Sequence, residues 1–234
     1  MFTFIFDLDD TLYDRTQPLQ SALLDFPPAE NIPFDVFLKV FTKNSDIAFD
    51  RVREGVWSLA ESHIYRIKET LAPLGIHINE DQARVFQQTY QHHQQHIELY
   101  PAMSELLNFL KEKDIQPLII TNGPAQHQRT KIKNLGLDRY FTQEQVIISG
   151  EEGIAKPDVR IFEIAQERFQ FQHKDAWYIG DSFNNDIVGA SRAGWKTIWL
   201  TKDQQIDTPL SPPPTKTVSS PMELKEYILR LVQR

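Results

Sequence analysis

Phe2-Thr3-Phe4-Ile5-Phe6-Asp7-Leu8-Asp9-Asp10-Thr11 begins as a compact apolar run and goes straight into two carboxylates one residue apart. An apolar run without alternation predicts a strand buried on both faces, as inside a parallel sheet. Asp7 closes that strand, so its side chain is expected at the carboxyl edge of the sheet. Similar runs recur at residues 117–120, 146–148, 176–179 and 197–200, and helix-like stretches lie between the later ones, at 126–135, 159–169 and 187–193. Strands alternating with helices predict an α/β chain with a doubly wound, Rossmann-like parallel sheet.

Residues 16–96 break the alternation. From 34 to 71 the pattern is helical, with apolar positions at Val36, Phe37, Val40, Phe41, Ile47, Phe49, Val52, Val56 and Leu59. A second helical stretch, from Glu80 to about Ile97, is rich in Gln and His. The expected organisation is a Rossmann-like core of residues 1–15 and 97–234 interrupted by an α-helical insert, 16–96. Loops after the first strand of such a sheet face its ligand-binding edge, so the insert is expected to act as a lid. Near the end, 209–214 holds four prolines and reads as an extended connector. Residues 221–232 read as a terminal amphipathic helix with Leu224, Ile228 and Leu231 on one face.

Bulk properties narrow the function. The 234 residues suffice for one large domain or a core with a smaller companion. A net charge of -7 with no long basic run argues against nucleic acid and anionic membrane as partners. With no cysteine there is no disulfide, thiolate nucleophile or cysteine metal site. The apolar N-terminus is too short for a signal-peptide core, and no stretch approaches the ~18 apolar residues of a membrane helix. The expectation is a cytoplasmic protein, monomer or homodimer.

The chemistry resides in four segments: Asp7 to Thr11, Thr121-Asn122-Gly123, Lys156-Pro157, and Gly180-Asp181-Ser182 with Asp186. A carboxylate at the end of the first strand can attack phosphorus to form an aspartyl-phosphate. Asp9, on the same side if the chain stays extended, can protonate a leaving alcohol and later deprotonate water. Two carboxylates facing an anionic phosphate call for a divalent cation, and all-oxygen ligation suits Mg²⁺. Asp181 is the expected third ligand, with Asp186 behind it. The Thr121 hydroxyl can bind a phosphoryl oxygen, and Asn122 and Gly123 can add amides at the start of the next helix. Lys156 supplies a fixed positive charge, aimed by the backbone restriction that Pro157 imposes.

With these segments in order, the chain resembles the haloacid dehalogenase superfamily of hydrolases, in the branch with a helical cap after the first strand. The resemblance covers almost the whole length and includes the run from Gly180 through Asp186-Ile187-Val188-Gly189-Ala190. It implies Asp7 as nucleophile and Asp9 as general acid/base. It implies Mg²⁺ on Asp7, the Asp9 backbone carbonyl and Asp181, and phosphate binding by Thr121 and Lys156. True dehalogenases of the superfamily lack the second aspartate, so Asp9 favours phosphoester hydrolysis. The Asp-Leu-Asp-Asp-Thr-Leu wording resembles nucleotidase-like and acylneuraminate-phosphatase-like branches. The implied substrate is a small phosphorylated metabolite, a nucleoside monophosphate first and a sugar phosphate next. Phosphomutase and a non-catalytic binding role are the alternatives.

Other residues invite weighing. His92 and His96 stand at i, i+4 but lack an acidic partner at matching spacing, and a solvated face suits them better than a metal. Trp57, Phe49 and Phe41 suit the core of the insert. Arg15, Arg51 and Arg53 are more ordinary as surface charge than as substrate contacts, and the same holds for Gln126, His127 and Arg129.

Overall fold

Phe4, Ile5 and Phe6 are fully buried, as a strand with neighbours on both edges and layers on both faces must be. The structure, a computed structural model, describes residues 2–29, 31–201 and 211–233, apart from the side chains of Phe49 and Arg53. The chain divides into two compact units, Met1–Arg15 with Glu98–Arg234, and Thr16–Ile97. The first holds strands β1 (Thr3–Phe6), β2 (Leu118–Thr121), β3 (Val146–Ile148), β4 (Ala176–Gly180), β5 (Lys196–Leu200) and β6 (Lys216–Val218). All pair in parallel, in the order β3-β2-β1-β4-β5-β6. This is a Rossmann-like α/β sheet. Strand order reverses between β1 and β4, and a crevice at their carboxyl ends is where such sheets bind ligands.

β6 does not show as an apolar run, because Lys216-Thr217-Val218 is short and half polar. It is led into β5 by a reciprocal pair: Thr197 N–H donates to Thr215 Oγ1 (3.0 Å), and Thr215 N–H donates to Thr197 Oγ1 (3.2 Å). Residues 209 and 210 of the proline-rich stretch lie outside the described residues.

The unit Thr16–Ile97 is helical: α1 (Gln17–Leu24), α2 (Phe34–Arg53), α3 (Leu59–Leu71) and α4 (Glu80–Gln94). The single pattern read over 34–71 is two helices. Gly55 takes a left-handed conformation (φ 73°), and Ser58 with Glu61 forms a reciprocal capping box that restarts the chain as α3. Asn79 and Gln82 do the same for α4. Phe37, Phe41 and Phe86 are buried in this unit's own core with Phe26, Ile67 and Leu71. Trp57 is half-buried against Tyr65, with ring centroids 4.5 Å apart. The Phe49 side chain lies outside the described residues.

The remaining helices flank the sheet: α5 (Pro101–Glu112), α6 (Ala125–Asn134), α7 (Ser149–Glu152), α8 (Val159–Phe169), α9 (Gly189–Arg192) and α10 (Pro221–Val232). A wide π-helical turn, Phe183–Val188, precedes α9. α10 begins where Ser220 Oγ accepts from Glu223 N–H. No helix among the described residues is long and apolar enough to cross a membrane.

On one face of the sheet Phe162 of α8 is wedged edge-on between Tyr178 and Trp195, with centroids 5.3 and 5.4 Å away. Phe162→Ala removes this wedge and should lower unfolding free energy by about 3–5 kcal/mol. The check is a urea titration, in which the midpoint falls while the slope is kept.

Candidate active site

Asp7 follows β1 directly, its N–H donating to the Ile179 carbonyl at 2.8 Å. Its buried Oδ1 accepts from Lys156 Nζ at 2.6 Å, while Thr11 Oγ1 donates to Oδ2 at 3.4 Å. The same ammonium donates to Asp186 Oδ1 (2.6 Å) and to the Tyr178 hydroxyl oxygen (2.8 Å), which employs all three of its protons. Tyr178 in turn donates to the Ile120 carbonyl at 2.9 Å. Lys156 is itself aimed through its backbone: its N–H donates to Asn122 Oδ1 (2.9 Å), and Asn122 Nδ2 donates to its carbonyl (3.0 Å).

Asp186 reaches this point from the π-helical turn, where Ser182 N–H donates to its Oδ2 at 2.9 Å. The approach explains Gly180, because a Cβ there would stand 2.4 Å from Asp186 Cγ. Asp181 follows β4 immediately, with its carbonyl accepting from Trp199 Nε1 at 2.7 Å.

Among the described residues, Asp7, Asp181 and Asp186 form the one group of three or more potential metal ligands with donor atoms within 4.8 Å of one another. Burial pushes the Asp7 carboxyl well up from the usual carboxylate range, and repulsion from Asp186 adds to this against the pull of Lys156. Asp181 is pushed up to about 6 by burial first, then by Asp186 and Asp10. Burial alone would lower Lys156, but Asp186 and Asp7 outweigh it and hold the ammonium charged. One lysine therefore faces more negative charge than it neutralises. Hard oxygen donors with excess negative charge suit Mg²⁺, so the residues present fit that ion.

Asp9 lies in a separate network. The chain does not stay extended past Leu8: Asp10 adopts φ 59°, and Leu12 N–H closes a turn onto the Leu8 carbonyl. The Asp9 carboxylate accepts from Lys131 Nζ at 2.7 and 2.9 Å, from Gln128 Nε2 at 3.0 Å, and from the Tyr13 hydroxyl. Burial would raise its pKa, but Lys131 and these hydrogen bonds lower it. Gln128 Nε2 also donates to Thr121 Oγ1 at 2.6 Å, which joins Asp9 to the end of β2. Thr121 is the last residue of β2 and buried.

Other residues singled out in the sequence have different engagements. Gly123 N–H donates to Ser149 Oγ at 2.9 Å. Arg129 pairs with Glu151 at 2.7 Å, and Arg15 with Asp10 at 2.6 Å. Arg51 stands 3.6 Å from Glu54; the Arg53 side chain lies outside the described residues. His92 and His96 have rings 4.4 Å apart, and His96 Nδ1 donates to the His92 carbonyl at 2.8 Å. Tyr178, Tyr13, Gln128 and Lys131 escaped the sequence reading. Tyr178 reads as one more apolar strand residue; Tyr13 reaches Asp9 from four residues on, within the same turn, whereas Gln128 and Lys131 reach it only through tertiary placement. The local signal of these two is their i, i+3 spacing on α6, which sets both on one helix face.

The family model described as haloacid dehalogenase-like hydrolase matches residues 2–194. The chain is 29% identical over 196 residues to the glyceraldehyde 3-phosphate phosphatase of Pyrococcus furiosus, covering 83% of this chain and 78% of that protein. It is 30% identical to the phosphoserine phosphatase of Thermus thermophilus, over 57% of this chain and 53% of that one. It is 34% identical to the mouse N-acylneuraminate-9-phosphatase, over 56% and 52%. The chain thus spans about half the length of the last two. Among solved structures, YfnB from Bacillus subtilis, bound to magnesium, superposes with a TM-score of 0.66 at 24% identity, covering 97% of this chain and 98% of that one. The L-2-haloacid dehalogenase of Xanthobacter autotrophicus superposes with a TM-score of 0.62 at 16% identity, over 98% and 99%. At these identities the superpositions speak for the fold alone.

Because folding raises the pKa of Asp7 and Asp181, the stability these groups contribute is complete below about pH 4. It is lost as pH rises through their folded values, near 6 for Asp181. A dication at the cluster relieves that loss only where the carboxyls are ionised. Adding Mg²⁺ should therefore raise the melting temperature by several degrees at pH 7.5 and by much less at pH 4.5. Differential scanning fluorimetry with Mg²⁺ against EDTA checks this.

Proposed function

Because this chain belongs to the haloacid dehalogenase-like hydrolase family, we propose that it is a Mg²⁺-dependent phosphomonoester hydrolase working through an aspartyl-phosphate on a small phosphorylated metabolite. The fold does not select this reaction, since dehalogenases and the magnesium-bound YfnB share it. The observation that carries the reading is Asp9, a second carboxylate two residues beyond Asp7 and joined through Gln128 to Thr121. Halide leaves without a proton, whereas an alcohol leaving from phosphorus needs one. The names of the relatives, phosphatases for phosphoserine, glyceraldehyde 3-phosphate and N-acylneuraminate 9-phosphate, support the same class.

In the first half of the reaction an Asp7 oxygen bonds to phosphorus. The ester P–O bond breaks, and the departing oxygen keeps the electron pair and takes a proton from Asp9. In the second half a water oxygen bonds to phosphorus and its proton passes to Asp9. The P–O bond to Asp7 then breaks, freeing inorganic phosphate and restoring the carboxylate. Thr121 Oγ1 holds a phosphoryl oxygen; Lys156 Nζ offsets the phosphoryl charge and turns to it the proton that Asp7 gives up on bonding to phosphorus, and Asn122 fixes the lysine backbone from which that ammonium extends. Gly123, whose N–H is taken by Ser149 Oγ, is left out of this phosphate end. Asp7, the Asp9 carbonyl and Asp181, with Asp186 behind them, would hold Mg²⁺, which would supply the charge neutralisation that lets an anionic nucleophile meet an anionic ester. The helical unit Thr16–Ile97 is proposed as the cap that chooses among esters.

The test is phosphate release from a panel of nucleoside monophosphates, sugar phosphates and phosphorylated hydroxy acids, with Mg²⁺ and with EDTA. Release should be confined to a few compounds and vanish with EDTA; isomerised product without release would establish a mutase instead. Asp7→Asn should lower turnover by about three orders of magnitude or more while circular dichroism stays unchanged. Retained hydrolysis in that variant would overturn the aspartyl-phosphate route.

A further inference from the structure

Asp9 is held more firmly than a carboxylate on a turn has reason to be. Lys131 Nζ spans both of its oxygens at 2.7 and 2.9 Å. Gln128 Nε2, from the same face of α6, holds Oδ2 at 3.0 Å, and the Tyr13 hydroxyl holds Oδ1. Gln128 is 1% exposed, and its Nε2 also meets Thr121 Oγ1 and, at 3.1 Å, the Asn122 carbonyl. Its Oε1 is buried with no hydrogen-bond partner among the described residues. Turning the amide over would set that oxygen against a carboxylate and a carbonyl, so the three acceptors fix its orientation. Packing fixes its stem as well: Gly123 has φ 149°, and a Cβ there would stand 3.0 Å from Gln128 Cγ and Cδ. A buried amide with one atom unpartnered is a costly arrangement to keep for stability alone.

The geometry points to Lys131 and Gln128 as positioning residues that hold the Asp9 carboxyl in one orientation for proton transfer, a need left bare in the second half of the reaction. There the water oxygen bonds to phosphorus, its proton goes to Asp9, and the P–O bond to Asp7 breaks with its electron pair returning to that carboxylate. A carboxyl gripped by three donors keeps the orientation this half requires. Neither touches the phosphorus, the nucleophile or the water; Lys131 acts through Asp9, and Gln128 through Asp9 and Thr121. The inference rests on the phosphatase reading above and adds two residues to it.

The two half-reactions can be separated with p-nitrophenyl phosphate and Mg²⁺. Nitrophenolate departs without a proton, so its first-turnover release reports attack by Asp7, while steady-state turnover reports attack by water. In Lys131→Met, steady-state turnover should fall about tenfold to a hundredfold, part of the ~10²–10⁴ that a positioned proton acceptor supplies. The first-turnover burst should stay within about twofold, and phosphorylated enzyme should accumulate on acid quench. Lys131→Arg, which keeps two donors and the charge, should recover turnover to within about threefold of wild type. Burst and turnover falling together would show a merely structural lysine and overturn the proposal, as would unchanged turnover in Lys131→Met. Absence of phosphate release from any ester by the wild-type protein would instead defeat the phosphatase reading, and this proposal with it.

Discussion

A buried ammonium governs this molecule. Lys156 is 5% exposed, and a charge taken that far from water persists only if its protons are all received. Asp7, Asp186 and Tyr178 receive them, from the end of β1, from the π-helical turn and from β4. Removing one partner of such a pair typically costs about 3–5 kcal/mol. The lysine therefore fixes how the ends of two central strands and one turn meet. The neighbourhood is built to let it in: Asn122 grips its backbone from beyond β2, and Gly180 leaves room for Asp186 to approach.

The same cluster is unbalanced by design of its charges. Asp7, Asp181 and Asp186 crowd together with one lysine between the first and the last, and burial first, with repulsion added, makes Asp7 and Asp181 resist ionisation. A core built for stability would replace such a group with apolar side chains, often at no loss. Keeping it favours a function that needs negative charge concentrated at a strand edge, ready to receive a cation and then an anion that would otherwise be repelled. Its place at the carboxyl ends of β1 and β4, where strand order reverses, is where an open parallel sheet leaves room for a ligand.

What the sequence disclosed follows from where each signal is encoded. Strands β1 to β5 are central or doubly covered, so their residues are apolar on both faces and stand out as runs. The helix of residues 159–169 and the terminal helix of 221–232 carry their amphipathic periodicity and their caps, Asp158 and Ser220, within the segment itself. β6 depends on Thr197 and Thr215 exchanging hydrogen bonds across eighteen positions, which no local pattern announces. The break between α2 and α3 was hidden because apolar positions continue in helical register on both sides of Gly55, and only the Ser58–Glu61 box marks the restart. In the site, the carboxylates, Thr121 and Lys156 could be read because each ends a strand or stands in a short motif. Tyr178 could not, because a tyrosine inside an apolar run looks like core until its hydroxyl is seen between Lys156 and the Ile120 carbonyl.

Asp9 and its holders show where the chemistry of such a chain is decided. Chains that displace halide and chains that cleave phosphoesters share this sheet, so no property of the strands separates them. In the function proposed above the separation is made on a turn, where Asp10 at φ 59° redirects the backbone and leaves the Asp9 side chain with no sheet to orient it. A carboxylate on such a turn has rotamer freedom that a proton acceptor cannot use, and ordering it requires partners from elsewhere in the chain. α6 provides them at one helical spacing, Gln128 and Lys131, and Gln128 reaches at the same time to the hydroxyl of Thr121 at the end of β2. The proposed proton acceptor and the proposed holder of the phosphate are thereby set by one buried amide. A helix outside the sheet, rather than the sheet itself, thus carries the residues that make the second aspartate useful.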